Sequence, residues 1–184
     1  RHNPNGMNQR WQFSVQRRLG SAHRLEARYV GNRTVRMPVP RNHGALDNRW
    51  LSNSPERDQQ VIDNLSALVS NPFFGVSGVS GGIGNSRVIA KSELLRPFPQ
   101  FASVTVPTSQ GGSSYHALQV EFERRLAGGL TLQTNYTYAK TIDALSYLNP
   151  ADPLPERVVA DADRTHLWRM LVLYELPFGK GRRW

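Results

Sequence analysis

Strict two-residue alternation on both sides of a tight turn leaves a chain few choices, and residues 113–140 (SSYHALQVEFERRLAGGLTLQTNYTYAK) carry it. Leu118, Val120 and Phe122 alternate with Gln119, Glu121 and Glu123, and Ala127-Gly128-Gly129 then reverses the chain. Leu130, Leu132, Thr134, Tyr136 and Tyr138 next alternate with Thr131, Gln133, Asn135 and Thr137. This spacing predicts a β-hairpin with one apolar face ending in tyrosines and one polar face suited to water. The pattern occurs twice. Residues 10–29 align without a gap on residues 117–136, so that Gln12, Arg17, Arg18, Leu19, Leu25 and Tyr29 fall on Gln119, Arg124, Arg125, Leu126, Leu132 and Tyr136. Trp11, Phe13 and Val15 form the apolar row of this first copy, and Gln12, Ser14, Gln16 and Arg18 the polar one. A repeated up-down unit predicts an all-β, antiparallel sheet.

A fifth strand follows from Trp168, Met170, Val172, Tyr174 and Leu176, which alternate before Pro177-Phe178-Gly179. Its other face carries Arg169 and Glu175 but also Leu167, Leu171 and Leu173, so that face is expected to pack against something inside. The organisation is therefore one domain over 1–184: an entry loop, a hairpin at 10–30, a long connection at 31–112, a hairpin at 113–140, a connection at 141–165 and a strand at 166–176. Turns of a few residues at one end and long connections at the other describe a large transmembrane barrel, with its periplasmic and extracellular rims. Five strands leave open edges and cannot close such a barrel, so the chain reads as a piece of a longer protein.

Hydropathy permits this reading. The mean hydropathy is −0.50, and the longest apolar run, Met170 to Tyr174, is far short of the roughly 20 residues a membrane-spanning helix needs. A barrel strand needs only about ten alternating residues. Cysteine is absent, which excludes disulfides and thiolate metal sites and leaves the compartment open. The net charge of +9 is uneven, with ten arginines in residues 1–50 against Glu26 and Asp47. Such a balance suits nucleic acid or an anionic membrane surface. Arg17-Arg18 and Arg124-Arg125 fall where each descending strand meets its tight turn, and there arginines either snorkel to lipid headgroups or are simply solvated turn residues.

Within the long connection, Ser54-Pro55-Glu56 predicts a helix start, Val61, Ile62, Leu65, Leu68 and Val69 its apolar face, and Asn71-Pro72 its end. That stripe is expected to pack on the loop itself. Gly75 to Gly84 lacks the lysine and Ser/Thr of a phosphate loop and reads as a flexible excursion. Leu94 to Phe101, with two prolines, reads as an extended docking segment.

Candidate chemistry is sparse. Glu121 and Glu123 share a strand face beside Arg125, with Arg18 or Arg28 as partners across strands; this reads as a charge ladder rather than a catalytic acid/base pair. Asp161, Asp163 and His166 are the one grouping of metal-ligand types, but the glycine and terminal glutamate of a calcium loop are missing, so hydrogen bonding within the loop is expected. No enzyme, cofactor or metal site is expected.

Five segments then occur in one order: NPFFG (71–75), LLRPFPQF (94–101), SSYHALQ (113–119), NYTYAKTID (135–143) and YELPFGKGRRW (174–184). In these the chain resembles the barrel region of Oar-like TonB-dependent receptors, outer-membrane proteins with an N-terminal carboxypeptidase-regulatory-like domain. Where that family commonly reads Asp-x-x-His-Arg, Leu167 follows Asp163-Arg164-Thr165-His166. The resemblance implies a wall-and-loop segment of a transporter in the bacterial outer membrane. Its implied partners are membrane lipid, a plug domain of the same parent chain, TonB and an unidentified ligand. Trp11, Phe13, Val15, Leu118, Val120, Phe122, Leu132, Tyr136, Tyr138, Met170, Val172 and Tyr174 are expected to face lipid. Gln12, Gln16, Arg28, Gln119, Glu121, Glu123, Gln133, Asn135 and Arg169 are expected to face the lumen. The alternative, a soluble basic β-module binding single-stranded nucleic acid, needs arginines and aromatics gathered on one face.

Overall fold

The computed structural model describes residues 4–52, 54–79, 81–127, 129–176 and 178, with the side chains of residues 126 and 127 outside the description. Gly128 of the second turn, Pro177 and Gly179 of the last, and Lys180, Arg182 and Arg183 also lie outside it. The chain divides into two units, one comprising Gly6–Arg36, Gly112–Ala144 and the residues from Arg157 on, the other Met37–Gly111 and Leu145–Glu156 with the first residues of the chain.

The first unit is built on a sheet, two of whose strands, those at 23–42 and 105–127, continue into residues of the second unit. Its strands are β1 (Met7–Leu19), β2 (His23–Asn42), β5 (Thr105–Ala127), β6 (Leu130–Ala144), β7 (Val158–Val159) and β8 (His166–Tyr174), in the order β1-β2-β5-β6-β7, with β8 also paired to β6. Long strands follow the alternating stretches, and β1/β2, β5/β6 and β6/β8 are antiparallel. The described sheet is open, with β1 at one edge and β7 and β8 at the other. Gly20 (φ 71°) and Gly129 (φ 77°) adopt the left-handed conformation at the two tight turns, where a side chain would be strained.

Several expected boundaries shift. β1 begins at Met7 rather than at 10, β2 continues to Asn42, and β5 begins at Thr105, so the connection expected over 31–112 is 43–104. Gly31, Pro38 and Pro40 read as breakers, yet each is tolerated for a physical reason. Gly31 lies under the Trp11 indole, where a Cβ would come within 2.1 Å of the ring. The prolines lie past Val35, the last β2 residue paired with β1 among the described residues, where β2 has one open edge, and such an edge tolerates a missing N–H. β6 likewise runs to Ala144, and the two-residue β7 makes a sixth strand where five were expected. β8 ends at Tyr174, short of 176.

The second unit carries a 3-10 turn (Asn48–Trp50), α1 (Gln59–Ser66), a two-stranded ribbon of β3 (Leu68–Ser70) and β4 (Val88–Ala90), and the short helices α2 (Gly82–Asn85) and α3 (Lys91–Leu94). The expected helix start at Ser54-Pro55 is displaced: Asp58 caps α1, its carboxylate accepting the Val61 N–H at 3.1 Å. Leu68 and Val69 leave the helix for β3. The described residues of the glycine-rich stretch form turns and a short helix, and the Leu94–Phe101 segment is built of turns and bends rather than the extended chain expected. Asn71 organises the former, donating to the Ile83 and Ser86 carbonyls at 2.5 and 2.7 Å while its Oδ1 accepts the Phe73 N–H at 2.9 Å.

Candidate functional site

Strand register decides which side chains share a face. Phe13 lies opposite Tyr29 and Val15 opposite Ala27 in the first hairpin; Leu118 opposite Tyr138 and Val120 opposite Tyr136 in the second. Leu132 then faces Val172, Leu130 faces Tyr174, Thr134 faces Met170 and Tyr136 faces Trp168 on β8. Side-chain contacts join the rows across β2 and β5: His23 stacks on Phe122 and Tyr29 on His116, with Trp11 tilted against the same imidazole. The apolar residues expected on one side are thus on one face. Nothing in the described chain covers it, for Phe13 is 69 %, Trp168 65 % and Met170 57 % exposed.

The opposite face gathers the residues expected at the lumen. Gln12 is opposite Val30, Gln16 opposite Glu26, Ser14 opposite Arg28, and Gln119, Glu121 and Glu123 are opposite Thr137, Asn135 and Gln133. Asn135 in turn is opposite Arg169, and Gln133 opposite Leu171. A hollow of about 530 Å³ is lined here by Tyr115, Gln119, Glu121, Gln133, Asn135 and Arg169, with Leu167 and Leu171 among its other walls. Small residues line up beside it: Ala117 and Ala139, opposite each other, are 2 % and 5 % exposed.

Arg24 is the centre of the polar row. Its Nη2 donates to Glu121 at 2.6 Å, its Nε to Glu123 at 2.9 Å, and its Nη1 reaches Glu26 at 3.4 Å. Glu26 also accepts from Arg28 at 2.6 Å and Glu123 from Arg125 at 2.5 Å. A charge ladder was expected, but its hub is Arg24 rather than Arg18 or Arg28. The signal was in the sequence: Arg24, Glu26 and Arg28 recur at every second residue, and so share the face of Gln16. The carboxylates here are less exposed than the aromatic row opposite, with Glu26 at 9 %. For most of a sheet to expose its greasy side and half-bury its charged side inverts the usual arrangement.

Asp163 acts as a loop tie. Its carboxylate accepts the Thr141 N–H at 2.7 Å, the Thr165 hydroxyl at 2.9 Å and the Lys140 ammonium at 3.2 Å. His166 pairs with Tyr136 at 2.7 Å instead of joining it. In the second unit Asp152 has a similar office, accepting the Asn149 N–H at 2.8 Å and the Asn48 amide at 2.6 Å, while Arg41 donates to the Asp152 carbonyl at 2.6 Å and covers the Tyr147 ring. The Thr141 and Asn149 backbone donors hold the two carboxyls below the ordinary aspartate range, followed for each by weaker side-chain donors and a nearby cation. A depressed folded-state pKa contributes stability that is present above the unfolded value and lost as pH falls through the folded one. Spin labels placed in 145–165 are therefore expected to stay immobile at neutral pH and to gain mobility only below about pH 4. Asp152→Asn should produce part of that mobility at pH 7; unchanged spectra in both experiments would remove the ties.

Aromatics lie mostly on the exposed face and the ladder arginines on the other, whereas a single-strand platform needs both together. No curated protein and no solved structure matches the chain. A family model described as an outer membrane beta barrel domain matches residues 1–184. The chain belongs to that family, a β-barrel protein of the bacterial outer membrane.

Proposed function

We propose that the chain is a wall-and-loop segment of a TonB-dependent, Oar-like receptor that moves a ligand across the outer membrane. The observation that carries the wall assignment is the pair of continuous faces, apolar and uncovered on one side, hydrogen-bonded and charged on the other. Hydrocarbon meets the first and a lumen the second. Cations bracket the greasy rows: Arg17 and Arg124 share that face beside the tight turns, opposite Leu25 and Leu132, and Lys140 lies further along, opposite His116. Between Arg124 and His116 stand Leu118, Val120 and Phe122, a span of about 26 Å along the strand. At the usual barrel tilt this is roughly 19–21 Å of membrane depth, close to an apolar band of about 25 Å. Leu167, Leu171 and Leu173 interrupt the polar face of β8 and give a plug domain an apolar place to rest. The ordered resemblance to receptor barrels supports the transport reading, and the long connections after β2 and β6 supply ligand-binding loops.

These 184 residues hold no cysteine to compete with an introduced label, and any cysteine elsewhere in the full-length protein is first replaced by serine. Single spin labels at 118, 120 and 122 of the full-length protein in lipid should be accessible to oxygen, and labels at 119, 121 and 123 to a water-soluble nickel chelate. Loss of that alternation would remove the wall assignment. Transport is tested separately, by capture of the TonB C-terminal domain on the purified full-length protein. No capture, with the barrel intact, would leave an outer-membrane barrel of another function.

A further inference from the structure

The connection at 43–104 holds a groove walled largely by apolar side chains. Its cavity volume is about 820 Å³, within the range of about 300–1,000 Å³ typical of small-ligand sites. Trp50 and Leu51 form one wall, and Val61, Ile62 and Leu65 of α1 the other. The α1 stripe expected to pack on the loop instead leaves this space open, and α1 has no buried residue. Leu51 and Val61 remain 39 % and 38 % exposed.

Two cations stand at the groove, Arg49 and Arg57. Arg49 is stacked over the Trp50 ring, its guanidinium carbon 5.5 Å from the centroid. Among the described residues, neither guanidinium is within salt-bridge distance of a carboxylate. The acid of the site, Asp58, is engaged as the α1 cap. An apolar trough with two cations and one committed acid is complementary to an apolar body bearing a single anionic group. A guanidinium fork matches the oxygens of a carboxylate or a phosphate, and the single charge of a carboxylate suits a lining in which Arg49, Arg57 and Asp58 sum to +1.

We infer that this groove binds a small amphipathic carboxylate, its hydrophobic part between Trp50 and the Val61–Leu65 face of α1 and its anionic end at Arg49 and Arg57. The inference rests on the receptor reading above and names the class of ligand that the loops select. A cationic or neutral amphiphile of the same size gains the apolar contacts only.

The test uses the full-length protein in nanodiscs, with 1-pyrenebutyrate as probe and the corresponding alcohol as its uncharged match. The acid should bind saturably and more tightly than the alcohol. The Arg49→Gln/Arg57→Gln double variant should weaken acid binding about tenfold or more and leave the alcohol unchanged. Ile62→Asp should weaken both. Equal binding of acid and alcohol, or an unchanged affinity in the double variant, overturns the assignment and leaves partition into lipid as the source of signal. Intact far-UV spectra and heat-modifiability keep misfolding out of the comparison. Binding without TonB capture would fail the transport reading alone; TonB capture without carboxylate binding would fail this inference alone.

Discussion

Replacing Val120 with arginine is expected to lower the folding stability of the complete barrel in lipid by about 2–4 kcal/mol. Val120 is the midpoint of the outward row on β5, with Leu118 and Phe122 on either side, Tyr136 opposite it and Trp168 beyond. An arginine there is as far from Arg124 below as from His116 above, so its charge has the longest route to either headgroup region. Gln119→Arg supplies the control. That residue is one step along the same strand and turns to the polar face, opposite Thr137. There a guanidinium meets water and the Glu121 carboxylate, and the change should remain within about 0.5 kcal/mol. The measurement is urea unfolding of the reconstituted protein. Comparable penalties for the two variants would mean that neither face meets hydrocarbon.

This asymmetry between adjacent residues is also why so much of the fold was legible in the sequence. Alternation fixes strand identity and face together, because a one-residue slip sends every side chain to the other side. Hence the apolar and polar rows of β1, β5, β6 and β8 could be assigned before any register was seen. What escaped were features governed by neighbours rather than by local pattern. Gly31 reads as a terminator until Trp11 is known to lie across it, and Pro38 and Pro40 read as breakers until the β2 edge beside them proves unpaired. Helix α1 was legible as an amphipathic segment, but Ser54-Pro55 competed with Asp58 for its start, and the aspartate carboxylate reached the backbone first. Arg24 shares its face with Arg28, and which of the two meets Glu121 and Glu123 is set by the pairing of β2 with β5, which alternation within a strand leaves open. The groove at Trp50 had no sequence signature, since its two walls come from elements separated by the turns around Pro55.

The largest effect on the polar face should come from Arg24→Met, which is expected to destabilise the barrel by roughly 1–3 kcal/mol. A methionine keeps much of the aliphatic stem, so the loss reports the charge rather than packing. Its three carboxylate partners do not suffer alike. Glu26 retains Arg28 and Glu123 retains Arg125, whereas Glu121 has no other ion-pair partner among the described residues. The side chains are 11–30 % exposed across Arg24, Glu26, Glu121 and Glu123, which places the cost below the 3–5 kcal/mol of a wholly buried broken pair. Removing the stranded charge should therefore restore stability: Arg24→Met/Glu121→Gln is expected to be more stable than Arg24→Met alone. Arg24→Lys should fall between, because a single ammonium cannot fork to Glu121 and Glu123 as the guanidinium does. Raised salt should narrow every one of these differences. A double-mutant cycle in which the Arg24 and Glu121 changes simply add would mean the two groups are not coupled in solution, and the polar face would then be a row of independently hydrated side chains rather than a ladder.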